Sequence, residues 1–270
     1  MLDFALVVDA QTKEAGAYAL SLAKLMDAHL TSVPTDIESA LADQINAELR
    51  YDLILAEQSE RREAIERVAA EIASQGLAAG LPVDSLRLAN AGDNAIEALE
   101  RALRVFDLNI VEQAYGKRGE ARPRMIETMV FDVGRPVLII PYIQTQAASL
   151  RSALVAWDGS APAARALGDA VPILKRADRV EVVRIGGKES ERQGGALVTR
   201  HLARHGIDAV FKQVPSSKDV GNTLLSHAVD VSADFLVMGA FGHSRLREAI
   251  FGGATRTLLH SMTLPVLLSR

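Results

Sequence analysis

The sequence predicts an α/β fold built from two tandem doubly wound domains, each a five-stranded parallel sheet of order 3-2-1-4-5 flanked by helices. Short apolar runs alternate with long amphipathic segments along all 270 residues, which is typical of parallel strands joined by right-handed helical crossovers. The second half of the chain repeats the order of the first. Because apolar residues make up 49% of the chain and aromatic residues only 4%, aliphatic side chains must form the core.

The second half contains short apolar segments that we predict to be strands and longer segments that we predict to be helices. The helices begin near proline or aspartate, and one of them ends at a glycine, as helix termini commonly do. The predicted strands are Ala153–Trp157, Arg179–Ile185, Ile207–Val214, Phe235–Gly239 and Pro265–Leu268. The predicted helices are Pro162–Ala177, Ala196–His205, a helix from the N-cap Asp219 to Val231, and Thr255–Ser261, with a loop over Gly186–Gly195.

The first half repeats this order and carries an insertion. Phe4–Asp9 matches Ala153–Asp158 at an offset of 149, whereas Arg135–Ile140 matches Leu264–Ser269 at an offset of 129. The falling offset indicates about twenty extra residues in the first copy. We assign them to the long helical stretch Ile37–Gly76.

The repeat predicts two domains, at residues 1–143 and 151–270, joined by a polar linker at 142–150. Shared α/β patterning without duplication is the alternative explanation. The matching strand ends and the twin Pro-Val-Leu strands favour duplication.

Composition excludes several classes of site. The chain has no cysteine, which rules out disulfides, thiolate nucleophiles and cysteine-bound metals. A net charge of −4 gives nucleic-acid binding no electrostatic support. No apolar run approaches the roughly 20 residues of a membrane helix, and the first residues lack the pattern of a signal peptide. We therefore expect a cytoplasmic protein without a membrane partner.

A glycine pattern follows the fourth strand of the second half. Gly239 and Gly242 are followed by nine residues and the pair Gly252-Gly253, in the pattern G-x2-G-x9-G-G, and a predicted helix begins just after the pair. Glycines let backbone amides approach an anion closely, and a helix N-terminus adds unpaired N–H groups. Thr255 would cap that helix or donate to a phosphate. The pattern indicates a phosphate-binding loop.

Asp158 follows the first strand of the second half. In a sheet of order 3-2-1-4-5, strands 1 and 4 flank the point where the strand order reverses, and ligands bind beyond their carboxyl ends. Asp158 and Gly239 are therefore expected to face one crevice. A glycine-rich loop that binds nothing remains the alternative.

The segment GAFGHSRLREAIFGGATR at 239–256 resembles the signature of the universal stress protein family, the UspA family. The segment WDGS at 157–160 and the final strand LPVLL at 264–268 resemble the same family. The resemblance covers 152–270 with specific motifs and 1–141 only weakly. It implies two tandem Rossmann-like domains, similar to adenine nucleotide alpha hydrolases, with the first one degenerate.

The resemblance also implies a ligand and its contacts. ATP, with Mg²⁺ as an accompanying ion, is the implied ligand, and Asp158 would contact the nucleoside. Backbone near Val183 and Arg184 would border adenine. The remaining implied contacts, to ribose and phosphates, are Met238, Gly239, Gly242, Gly252, Gly253, Ala254 and Thr255. His243 lies in the same glycine loop, where it would either contact a phosphate or serve only as a cap. One departure is Gly253, where the family usually has serine or threonine, so one hydroxyl donor worth about 1 kcal/mol is lost.

The first copy departs further, because Glu112 stands where the second copy has Gly239. A carboxylate repels phosphate, so we predict that the first copy binds no ATP and serves another ligand or a structural role. His201 and His205 lie four residues apart, but the sequence places no third metal ligand beside them. We therefore expect an exposed polar face and no metal site.

No positioned nucleophile or acid–base pair is evident, so we expect a nucleotide-binding stress-response sensor and no enzyme beyond slow ATP hydrolysis. The alternatives are an interaction scaffold that binds no nucleotide and, less favoured, a nucleotide hydrolase. The resemblance further implies pairing of the fifth strands, Pro136–Ile140 with Pro265–Leu268, in an intramolecular pseudo-dimer. Association of two chains into a homodimer is left open.

Overall fold

Strands and helices alternate along the chain as the sequence predicts. The computed structural model describes residues 1–36, 51–88, 95–114, 121–187, 192–215, 219–240 and 253–270. These residues form two compact units. The first comprises 1–135 and 142–148, and the second comprises 136–141 and 149–270.

The first unit is a parallel sheet with strand order β3-β2-β1-β4. The strands are β1 (Asp3–Val8), β2 (His29–Pro34), β3 (Val83–Ser85) and β4 (Leu108–Glu112). The helices are α1 (Glu14–Met26), α2 (Tyr51–Ala78), α3 (Ala95–Leu103) and α4 (Ala121–Asp132). All five residues of β4 are buried, as expected for the inner strand of a sheet that is covered on both faces.

The second unit is a larger sheet with strand order β5-β10-β9-β6-β7-β8. Its strands are β5 (Val137–Ile140), β6 (Ser152–Ala156), β7 (Arg179–Ile185), β8 (Ala209–Val214), β9 (Phe235–Gly239) and β10 (Val266–Ser269). Its helices are α5 (Ala161–Leu174), α6 (Arg192–Arg204), α7 (Val220–Asp230) and α8 (Gly253–Ser261). Five of the strands are parallel in the predicted order 3-2-1-4-5, and β5 runs antiparallel to β10.

The predicted α/β fold class is therefore confirmed, and so is the pairing of the two fifth strands, in which Ile139 lies opposite Val266. The division into domains at 143 and 151 stays a prediction. The compact units differ from it in one respect, because β5 is grouped with the second unit. The pseudo-dimer also stays a prediction. The described part of the predicted insertion lies in α2, which has 28 residues where α6 has 13. Its first residues, 37–50, lie outside the described residues.

One helix starts earlier than predicted. The sequence analysis places a loop up to Gly195, but α6 begins at Arg192. The reason is tertiary packing: a Cβ on Gly195 would lie 2.3–2.5 Å from ring atoms of Phe211 on β8. This glycine therefore lets the helix approach the sheet and does not interrupt the helix.

No helix among the described residues is both long and apolar enough to cross a lipid bilayer.

The two adjacent glycines of α6 offer a matched test of this packing. We expect Gly195→Ala to lower the free energy of unfolding by about 1–3 kcal/mol, because the methyl group forces the Phe211 ring to move. Gly194→Ala is the control, since a Cβ there meets nothing within 4 Å and alanine favours a helix by up to about 1 kcal/mol. Urea unfolding measures both variants. Equal effects of the two substitutions would contradict the packing explanation.

Candidate functional site

The candidate site lies at the carboxyl edge of β6 and β9 in the second unit. These strands are parallel neighbours, with Ala153 opposite Phe235. They are the first and fourth of the five parallel strands in this unit, and the strand order reverses between them. Ligands of doubly wound folds bind at such an edge.

A short loop carries Asp158 beyond the end of β6. The Asp158 side chain is exposed, and its Oδ1 accepts a hydrogen bond of 2.8 Å from the backbone N–H of Ser160. Gly159 lies between them with φ +81°, a conformation that glycine adopts without strain. Ser160 is the N-cap of α5, because its Oγ accepts from the N–H of Ala163 at 3.3 Å. The loop therefore fixes Asp158 at the edge of the sheet.

Gly239 ends β9 against the first turn of α5. A Cβ at this position would lie 2.4 Å from the backbone nitrogen of Ala163 and 2.4 Å from the carbonyl carbon of Pro162. Real Cβ atoms do not approach backbone that closely, so only glycine fits. The sequence analysis assigned Gly239 to ligand contact alone. The structure adds a packing role that brings the end of β9 to the helix that follows the Asp158 loop.

Three other predicted site residues have buried side chains: Val183, Met238 and Thr255. The carbonyl of Val183 also accepts a hydrogen bond of 2.8 Å from the N–H of Trp157. Of the two roles expected for Thr255, the cap of α8 does not hold, because the helix begins at Gly253 and includes Thr255 in its first turn. Donation to a phosphate stays a prediction.

The remaining predicted contacts are incompletely described. Gly242, His243 and Gly252 lie outside the described residues, and Gly253 and Ala254 begin α8. Their contacts with a ligand stay predictions. Arg184 lies in β7, next to Val183.

The corresponding edge of the first unit is filled by its own side chains. Arg122 on α4 forms a two-pronged ion pair with Asp9, with Nε 2.8 Å from Oδ2 and Nη2 bonded to Oδ1. Its Nη1 lies 3.7 Å from Oε1 of Glu112. The side chains of Arg122, Asp9 and Glu112 are only 10%, 13% and 5% exposed. This arrangement supports the prediction that the first copy binds no ATP.

Sequence reasoning identified Asp9 and Glu112 but missed Arg122. Two buried carboxylates at one strand edge require a cation, because unpaired buried charges are strongly unfavourable. That requirement was a usable signal. The requirement for a cation does not by itself identify Arg122 among the nearby arginines, because the arginine that reaches Asp9 depends on where α4 begins.

The paired histidines of α6 show no metal cluster. The rings of His201 and His205 lie 4.7 Å apart and edge to face, and both residues are exposed. In the described part of the chain, no group of three or more His, Asp or Glu side chains is arranged to hold a metal ion.

Comparison with known proteins finds a family model that is similar to the second half of the chain. Residues 150–270 match the model of the universal stress protein family. The universal stress protein Slr1230 of Synechocystis sp. is 25% identical over 199 residues, which span 70% of this chain and 66% of that protein, just under two thirds of its length.

Two solved structures share the fold over nearly the whole chain. A universal stress protein from Archaeoglobus fulgidus aligns with a TM-score of 0.70 at 17% identity, covering 98% of this chain and 96% of that one. Protein PA1789 from Pseudomonas aeruginosa, described as functionally unknown, aligns with a TM-score of 0.58 at 16% identity, covering 99% and 92%. The family model thus matches the second half of the chain, at residues 150–270, and the solved structures show that the fold is shared over nearly the whole length.

Proposed function

We propose that the second unit binds one adenine nucleotide, ATP in preference to others, and that the protein acts as a ligand-sensing regulator in a stress response. The observation that carries this proposal is the position of Asp158 beside the Gly239 end of β9. An exposed carboxylate and a strand end that closes with glycine lie on adjacent strands there, at the edge where doubly wound folds bind ligands. The match of residues 150–270 to the family model supports the same proposal.

Electrostatics decides how a nucleotide would be oriented. The Asp158 carboxylate accepts hydrogen bonds from ribose hydroxyls or supplies an oxygen ligand to Mg²⁺, but it repels a bare phosphate. We therefore place the ribose, or a Mg²⁺ ion between protein and phosphates, at Asp158. The phosphates would lie toward the first turn of α8, where helix N–H groups favour an anion.

The described residues of this edge do not include a nucleophile paired with a general base. Binding without rapid turnover is therefore the activity that we propose, with hydrolysis slow at most. A hydrolase would require turnover that disappears when Asp158 is replaced by alanine.

An interaction scaffold that binds no nucleotide is the second candidate. Gly253 favours it, because the family motif usually places a hydroxyl donor there. The filled edge of the first unit favours it as well. Titration with Mg-ATP separates the two candidates: the absence of heat at high protein concentration, with no nucleotide retained through gentle purification, supports the scaffold.

We expect calorimetry with Mg-ATP to give one site per chain. Asp158→Ala should weaken binding about tenfold or more, equal to about 1.4 kcal/mol, because a charged acceptor is lost. Asp178→Ala is the matched control, since this exposed aspartate precedes β7 and lies at the opposite end of the parallel strands. Two sites per chain, or equal weakening by both substitutions, would refute the proposed location.

We expect Gly239→Ala to weaken nucleotide binding and to lower the free energy of unfolding by about 1–3 kcal/mol. The added methyl group would push the first turn of α5 away from β9 and displace the Asp158 loop. Gly168→Ala, within the same helix, is the control because a Cβ there meets nothing within 4 Å. Unchanged affinity in Gly239→Ala, measured by the same calorimetry, would separate this packing from the binding site.

A further inference from the structure

A buried carboxylate in the first unit binds the beginning of a helix that lies far away in the sequence. Oε2 of Glu112, the last residue of β4, accepts hydrogen bonds from the N–H groups of Lys13 at 2.8 Å and Ala15 at 2.9 Å. These amides begin α1. Charge-assisted hydrogen bonds of this kind are stronger than those between neutral groups.

The helix needs this acceptor because it has no local one. The N-cap residue of α1 is Lys13, and no side chain of the cap accepts a hydrogen bond from the helix. In the second unit, Ser160 caps α5 from its own loop, and the second helical residue, Pro162, has no N–H to donate. In α5 the Ser160 hydroxyl accepts one N–H of the first turn and Pro162 lacks another, whereas in α1 the Glu112 carboxylate accepts two, those of Lys13 and Ala15.

Arg122 completes the arrangement. It binds both oxygens of Asp9, and its Nη1 lies 3.7 Å from Oε1 of Glu112 and 3.4 Å from the backbone oxygen of Gln113. Two carboxylates and one guanidinium leave one negative charge. The two donated amides and the positive end of the α1 dipole stabilise that charge.

We propose that the first unit is a self-liganded anion site. The Glu112 carboxylate occupies the position that an external carboxylate or phosphate would take at the start of α1, and Arg122 removes Asp9 from contact with any ligand. In this unit the groups that could bind an anion stabilise the fold and are not available to a ligand. This inference does not depend on nucleotide binding by the second unit.

The test removes the internal anion from the full-length chain and supplies an external one. We expect Glu112→Ala to lower the Tm by roughly 5–10 °C. Sodium formate should raise the Tm of this variant more than the same concentration of sodium chloride does, because formate fits where the carboxylate was removed. The wild-type protein should respond equally to the two salts, since its site is already occupied.

Two further variants make the result specific. Arg122→Met should also lower the Tm but should gain nothing from formate, because the carboxylate is still in place. Glu112→Gln keeps the shape of the side chain and one acceptor oxygen. It is the variant to test if Glu112→Ala fails to fold. Its Lys13 and Ala15 amides should exchange hydrogen faster than in the wild type, as measured by NMR.

Equal responses of Glu112→Ala to formate and chloride would overturn the proposal. So would a specific formate effect on the wild-type protein, or unchanged exchange of the two amides in the glutamine variant. Nucleotide binding by the same variants is measured by titration and interpreted separately from the Tm and exchange results. Its outcome bears on the second unit alone.

Discussion

The N–H groups in the first turn of the first helix of each unit need hydrogen-bond acceptors. Which side chain accepts from them determines whether the nearby strand edge is filled by charged side chains. The first turn of any helix leaves backbone donors without partners inside the helix. In the second unit the local serine Ser160 satisfies one of them. In the first unit Glu112 does so from the end of β4, 97 residues beyond Ala15. The residue that ends the fourth strand therefore contacts the first helix in both units.

That single position explains why the two edges have different chemistry. Gly239 allows the backbone of α5 to pack directly on the end of β9. The strand end itself therefore brings no acidic side chain to the edge, and Asp158 in the neighbouring loop is exposed. Glu112 brings a negative charge into the same position of the first unit. Because a buried charge requires a partner, Arg122 and Asp9 are drawn into one network and the edge is closed by side chains.

The divergence of the two halves follows from this difference. An edge that binds a ligand must keep polar groups accessible, which costs stability, whereas a closed edge can use the same groups to hold strands and helices together. The first unit joins β1, β4, α1 and α4 through one ion network. The second unit has the glycine-rich sequence and is the part of the chain that matches the family model.

The sequence alone determined the fold class and the positions of most strands. The bounds of β7 and β9 agree with prediction at every residue. For β9 the reason is that a strand buried on both faces is a continuous apolar run. The local cap of α7 was equally predictable, since Asp219 accepts from the N–H of Asn222 three residues away.

Only the tertiary structure decided the features that depend on distant residues. Gly195 lies inside α6 and packs closely on Phe211 of β8, a contact that no local glycine rule takes into account. The partner of Asp9 is an arginine 113 residues later, and sequence spacing contains no information about which cation will reach it. Helix caps and strand bounds depend on residues close in the sequence and can be inferred from their order. Contacts between separate elements depend on how those elements pack in the folded protein.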